Sequence, residues 1–158
     1  MRFFTAEWWF IICQDFDRWD ESEQAFKDYE AYLRSIESHL HAVPDFLRSP
    51  NALHDDGLES IEIRNDEVKL NLIEATDGHI RTLIVRGVRL ILQECWDNEE
   101  GCDPRHIFTT GDDIGYNELF VDQQKKTLTL SFILRSGNEI VISGYLDSMR
   151  FEFVDPAK

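Results

Sequence analysis

Gly57-Leu58-Glu59-Ser60-Ile61-Glu62-Ile63-Arg64-Asn65-Asp66-Glu67-Val68-Lys69-Leu70-Asn71-Leu72-Ile73 is the stretch in which the chain changes its period. Ile61 and Ile63 alternate with Ser60, Glu62 and Arg64. After Asn65-Asp66, Val68, Leu70 and Leu72 alternate with Lys69 and Asn71. Successive side chains on extended backbone point to opposite faces, so this pattern makes one face apolar and the other polar. Asn65-Asp66 supplies the tight turn between the two runs. The stretch predicts an antiparallel hairpin with one buried face.

The same reading continues toward the C-terminus. Thr76-Asp77-Gly78-His79 is a second turn, Ile80, Thr82 and Ile84 follow, and Val88, Leu90 and Leu92 form a further strand beyond Gly87. Gly87 predicts a bulge or a sharp bend. A similar layout starts again at Gly115. Leu119 and Val121 lead to a turn over Asp122 to Lys126, and Leu128, Leu130, Phe132 and Leu134 lead to one over Ser136-Gly137-Asn138. Ile140 and Ile142 precede Gly144, and Met149, Phe151 and Phe153 close the pattern. Gly57 aligns with Gly115, Leu70 with Leu128, Ile84 with Ile142, and Gly87 roughly with Gly144. About eight strands in two similar meander units are therefore expected, as an antiparallel sheet or sandwich.

Toward the N-terminus the period is helical. Phe4, Trp8, Ile11, Ile12 and Phe16 predict one helix, with Thr5 placed to cap it. Phe26, Tyr29, Leu33, Ile36 and Leu40 predict a second, from about Asp20 or Ser22 to His41. Glu23 with Lys27 and Glu30 with Arg34 are i,i+4 pairs on its polar side. A turn or short helix is expected between Pro44 and Pro50. The class is α+β, a helical pair packed on the strands. The 158 residues fit one domain, 1–158, helical over 1–50 and β over 53–155.

The formal net charge is −15. Residues 51–114 carry 15 acidic and 6 basic side chains, the densest excess in the chain. Such a surface repels phosphate backbones and anionic membranes; it is compatible with a basic protein partner, and it also serves simply to keep a protein in solution. Cys13, Cys95 and Cys102 are odd in number and sparse, so no disulfide framework is expected. The apolar run from Trp8 to Cys13 is too short for a signal peptide or a membrane span, and the expectation is a cytoplasmic protein.

Candidate chemistry concentrates at Leu53-His54-Asp55-Asp56-Gly57. A histidine beside carboxylates can act as a general base or join a metal site. On extended backbone His54 and Asp56 would share a face, with a third ligand from His79 or Asp113. The competing reading has these side chains bonding nearby amides at the entry to the first strand. Cys95, Cys102 and His106 are spaced too widely for a structural zinc site and lack a fourth ligand. No nucleophile elbow or phosphate loop occurs, so no cofactor or metal is assigned. Between Glu94 and Asp113 seven acidic residues face one basic residue, Arg105. A connection of this length, if it has no structure of its own, is characteristically functional or mobile.

Two segments carry a resemblance. Met1-Arg2-Phe3-Phe4-Thr5-Ala6-Glu7-Trp8-Trp9 is similar to the Phe-Thr-x-Glu-Trp opening of a bacterial family known as a domain of unknown function. Leu53 to Glu62 resembles that family's His-Asp entry into a first strand, which some small immunity proteins of bacterial toxin systems share. The resemblance implies an α+β cytoplasmic bacterial protein and carries over no catalytic residue. The expected function is non-enzymatic binding of a basic protein partner, in its sharpest form immunity-type inhibition, through Asp97, Glu99, Glu100 and Asp103. A metal-dependent hydrolase centred on His54 and Asp56 is the alternative, and an exposed strand edge offers a route to a homo-oligomer.

Overall fold

A computed structural model describes residues 1–9, 19–94 and 111–156. The helix expected from Phe4 to Phe16 is described over residues 6–9, which are helical. There Thr5 caps as its position predicts: its Oγ1 accepts the Trp8 N–H at 3.1 Å. Residues 10–18 of that expected helix fall outside the described residues, which hold one long helix, α1 (Trp19–Ile36). α1 ends earlier than its apolar stripe suggests, because the chain tightens into a 3-10 turn at Glu37–His39. A second 3-10 turn, Asp45–Arg48, fills the segment between the prolines.

Among the described residues eight antiparallel strands follow: β1 (Gly57–Arg64), β2 (Glu67–Ile73), β3 (Ile80–Arg86), β4 (Val88–Glu94), β5 (Asp112–Asp122), β6 (Thr127–Leu134), β7 (Glu139–Tyr145) and β8 (Arg150–Val154). Their order is β4-β7-β6-β5-β1-β2-β3-β8. β3 and β4 stand near opposite ends of that order, yet only Gly87 separates them in the chain. The sheet must therefore roll until its ends meet. β3 pairs with β8 and β4 with β7, so the bent strand β3–β4 runs along the bent strand β7–β8. The circuit closes through β6, β5, β1 and β2.

The closing seam is narrow. β1 and β5 pair only at Gly57 with Asp113 and Leu58 with Asp112, then separate. Beyond the seam β5 presents inner-edge N–H groups that need acceptors. The Pro50 carbonyl accepts the Asn117 N–H at 3.0 Å. The Tyr29 and Tyr32 hydroxyls of α1 accept those of Leu119 and Val121, each at 2.8 Å. Helix and 3-10 turns thus plug the split. Ile36, Leu40, Val43 and Leu47 enter one core with Val68, Leu70, Leu72, Leu83, Leu119, Leu130, Phe132 and Ile142. Among the described residues no helix is long and apolar enough to cross a membrane.

The two meander units are related by a pseudo-two-fold. Exchanging β1–β4 for β5–β8 reproduces the strand order, with each unit's fourth strand added beside the other unit's third. The backbone repeats the relation locally. The Asp55 N–H donates to the Ile114 carbonyl and the Gly111 N–H to the Leu58 carbonyl, both at 2.8 Å. Asp55 and Gly111 both have positive φ, 67° and 86°. Each first strand carries a bulge, between Leu58 and Ser60 in β1 and between Ile114 and Tyr116 in β5. The axis passes through the Gly57–Asp113 pair, so Gly57 corresponds to Asp113 and not to Gly115.

Candidate functional site

The chain reaches the seam through turns, not through extended backbone. The His54 N–H donates to Asn51, the Asp56 N–H to Leu53, and Asp55 between them is left-handed. His54 and Asp56 therefore do not share a face as two strand residues would. The His54 Nδ1 lies 3.0 Å from the Asp55 carboxylate. Its ring meets the Tyr116 ring edge-on, at a centroid distance of 5.1 Å. Tyr116 in turn packs against Phe4, Trp8, Trp9 and Phe26, so His54 borders an aromatic cluster.

Asp56 goes elsewhere. Its carboxylate is buried, ion-paired to the Arg81 guanidinium, and 3.4 Å from the Ala75 N–H it accepts. Burial pushes its pKa above the usual carboxylate range, and the Arg81 bond and charge only partly oppose that. Arg81 also lies 3.8 Å from Glu74. In the second unit Asp112 accepts the Ser136 N–H at 3.4 Å, so each aspartate ties its strand's entry to the turn between its unit's second and third strands.

Beside the seam lies an open cleft of about 540 Å³ lined by Asp55, Glu59, Glu74 and Asp113. Glu59 projects here because it is the extra residue of the β1 bulge, which re-aims a side chain. Glu74 comes from the end of β2, and Gly78 and Ala75 from the following turn. Gly111 and Asp113 line the opposite wall. Among the described residues, none that lines it is basic. Two arginines pair with lining carboxylates from outside: Arg81, which Asp56 holds, lies 3.8 Å from Glu74, and Arg135 lies 3.1 Å from Asp113. Four carboxylates around one opening give it a negative potential.

The proposed partner-contact residues Asp97, Glu99, Glu100 and Asp103 lie outside the described residues, as do Cys95, Cys102 and His106. The acidic stretch that holds them ends at Gly111 to Asp113, in the wall of the cleft. Glu59 and Glu74 escape a linear reading because a bulge and a turn, not a motif, bring them to Asp55. No family model matches the chain, and a search of curated proteins returns no match.

Proposed function

We propose that this chain is a non-catalytic binding protein for a basic protein partner, which it engages through the cleft at the seam. The observation that carries this reading is the group of four carboxylates around an opening that, among the described residues, has no basic lining residue. The net charge of −15 and the acidic stretch ending in the cleft wall extend the same field. In the sharpest form the partner is a basic toxin, and Asp97, Glu99, Glu100 and Asp103 join the contact, in keeping with the resemblance to immunity proteins. The separate partners of His54 and Asp56 favour binding over a hydrolase built on that pair.

The test is association of the purified chain with basic and acidic candidate proteins of similar size, followed at low and high salt. Basic candidates are expected to bind in a salt-sensitive way. The variant D55N/E59Q/D113N should slow association by roughly tenfold or more. Binding that ignores both salt and these substitutions overturns the reading.

A further inference from the structure

The turn between β2 and β3 holds a cluster of a different composition. Glu74, Asp77 and His79 each present one donor atom, and the three atoms lie within 4.8 Å of one another. The backbone brings them together. The Glu74 N–H donates to the His79 carbonyl at 3.0 Å, and the Gly78 N–H donates to the Glu74 carbonyl at 2.9 Å. Gly78 has φ of 73°, a conformation that a residue without Cβ adopts freely, and it turns the chain so that residues 74 and 79 face each other.

The imidazole is aimed from behind. Its Nε2 lies 3.0 Å from the Asp155 carboxylate, whose side chain is only 8% exposed and follows β8. Its Nδ1 faces the Asp77 carboxylate on the turn. A ring that gives one N–H to a buried carboxylate directs the lone pair of its other nitrogen outward, and ligating histidines are held in this way. Nδ1 is in hydrogen-bond contact with the Asp77 carboxylate beside Glu74, and a cation seated there would take the place of the proton between them. Carboxylates alone would give a diffuse acidic patch, whereas the fixed ring gives a direction and a nitrogen donor.

We propose that Glu74, Asp77 and His79 form a three-ligand site for a divalent transition metal, with zinc as the best match and Asp155 as the positioning residue behind His79. One imidazole and two carboxylates are within zinc's usual donor set, and three protein ligands leave a position for water. Two carboxylates balance the ion's charge. Calcium takes six to eight oxygens and magnesium a near-ideal octahedron, which this small mixed set does not supply. The site does not depend on the cleft's binding a partner, although Glu74 borders both.

Titration of the full chain with zinc chloride tests this, with calorimetry for stoichiometry and NMR of the five histidine rings for location. One zinc ion is expected to shift the His79 ring signals first, before those of His54. Both H79Q and D77N should lose this event, and D155N should weaken it by about 10- to 100-fold. The metal-free melting temperature of each variant shows whether it folds, and the wild-type ring shifts stand even if a variant does not. No zinc binding, binding that leaves the His79 signals unmoved, or binding undiminished in a folded H79Q chain overturns the proposal.

Discussion

Asp56 shows how a residue chosen for its chemistry is governed by its surroundings. As a string, His54-Asp55-Asp56 presents two carboxylates beside an imidazole. In the fold Asp56 sits under the cleft, where burial opposes its ionisation and Arg81 favours it. Burial is the larger influence, so the folded chain keeps the Asp56 proton over a range of pH in which the unfolded chain has lost it. That contribution to stability is present below the unfolded pKa of about 3.9 and is lost as pH rises through the raised folded value. Asp56→Asn removes the titration and keeps an acceptor for the Ala75 N–H. It should be within about 1 kcal/mol of wild type at neutral pH, and wild type should gain on it as pH falls, checked by urea denaturation from pH 3 to 7. Arg81→Met should behave in the opposite way. It leaves the Asp56 charge buried without its partner and should cost about 3 kcal/mol at neutral pH, less in acid where Asp56 holds its proton.

The elements divide into those that declare themselves along the chain and those that depend on distant neighbours. The alternation from Gly57 onward is legible because each strand has one face in the core: Val68, Leu70 and Leu72 are buried, as are Leu128, Leu130 and Phe132. The stripe of α1 is legible for the same reason, since Tyr29 and Ile36 are buried. What periodicity does not disclose is that the Tyr29 hydroxyl serves a strand some ninety positions away. Tyr29→Phe keeps the ring and strips the acceptor from the buried Leu119 N–H. It should cost about 1–3 kcal/mol, and hydrogen exchange should show faster opening along the inner edge of β5. The seam was equally hidden, because nothing local to residues 55–59 tells that Asp112 and Asp113 lie beside them. Gly87 was legible as a bend, but its reason is tertiary. With φ of 75° it packs so closely on the turn before β8 that an added Cβ would run into the Ser148 carbonyl. Gly87→Ala should therefore destabilise by about 3 kcal/mol or more, measured as a lowered denaturation midpoint with unchanged slope.

At the scale of the whole molecule, symmetry and charge meet in one place. The pseudo-two-fold passes through Gly57 and Asp113, at the edge of the cleft. The relation is imperfect there in an informative way. Gly111 occupies its left-handed position without a side chain, whereas Asp55 occupies the corresponding one with a carboxylate. The bulge residue is Gly115 in one unit and Glu59 in the other. The acidic side chains thus accumulate on one side of a backbone that treats both sides alike, so the fold does not require them. Charges of one sign held close together repel and lower the stability of the compact state. The variant D55N/E59Q/D113N, made to slow association with a basic partner, should therefore melt a few degrees above wild type in dilute buffer, corresponding to about 0.5–1 kcal/mol. In 1 M sodium chloride, where charges are screened beyond about 3 Å, the difference should shrink toward zero. A variant that melts below wild type at every salt concentration would mean that these carboxylates stabilise the seam, Asp113 through Arg135 in particular, and that the symmetry is broken there for the sake of the fold.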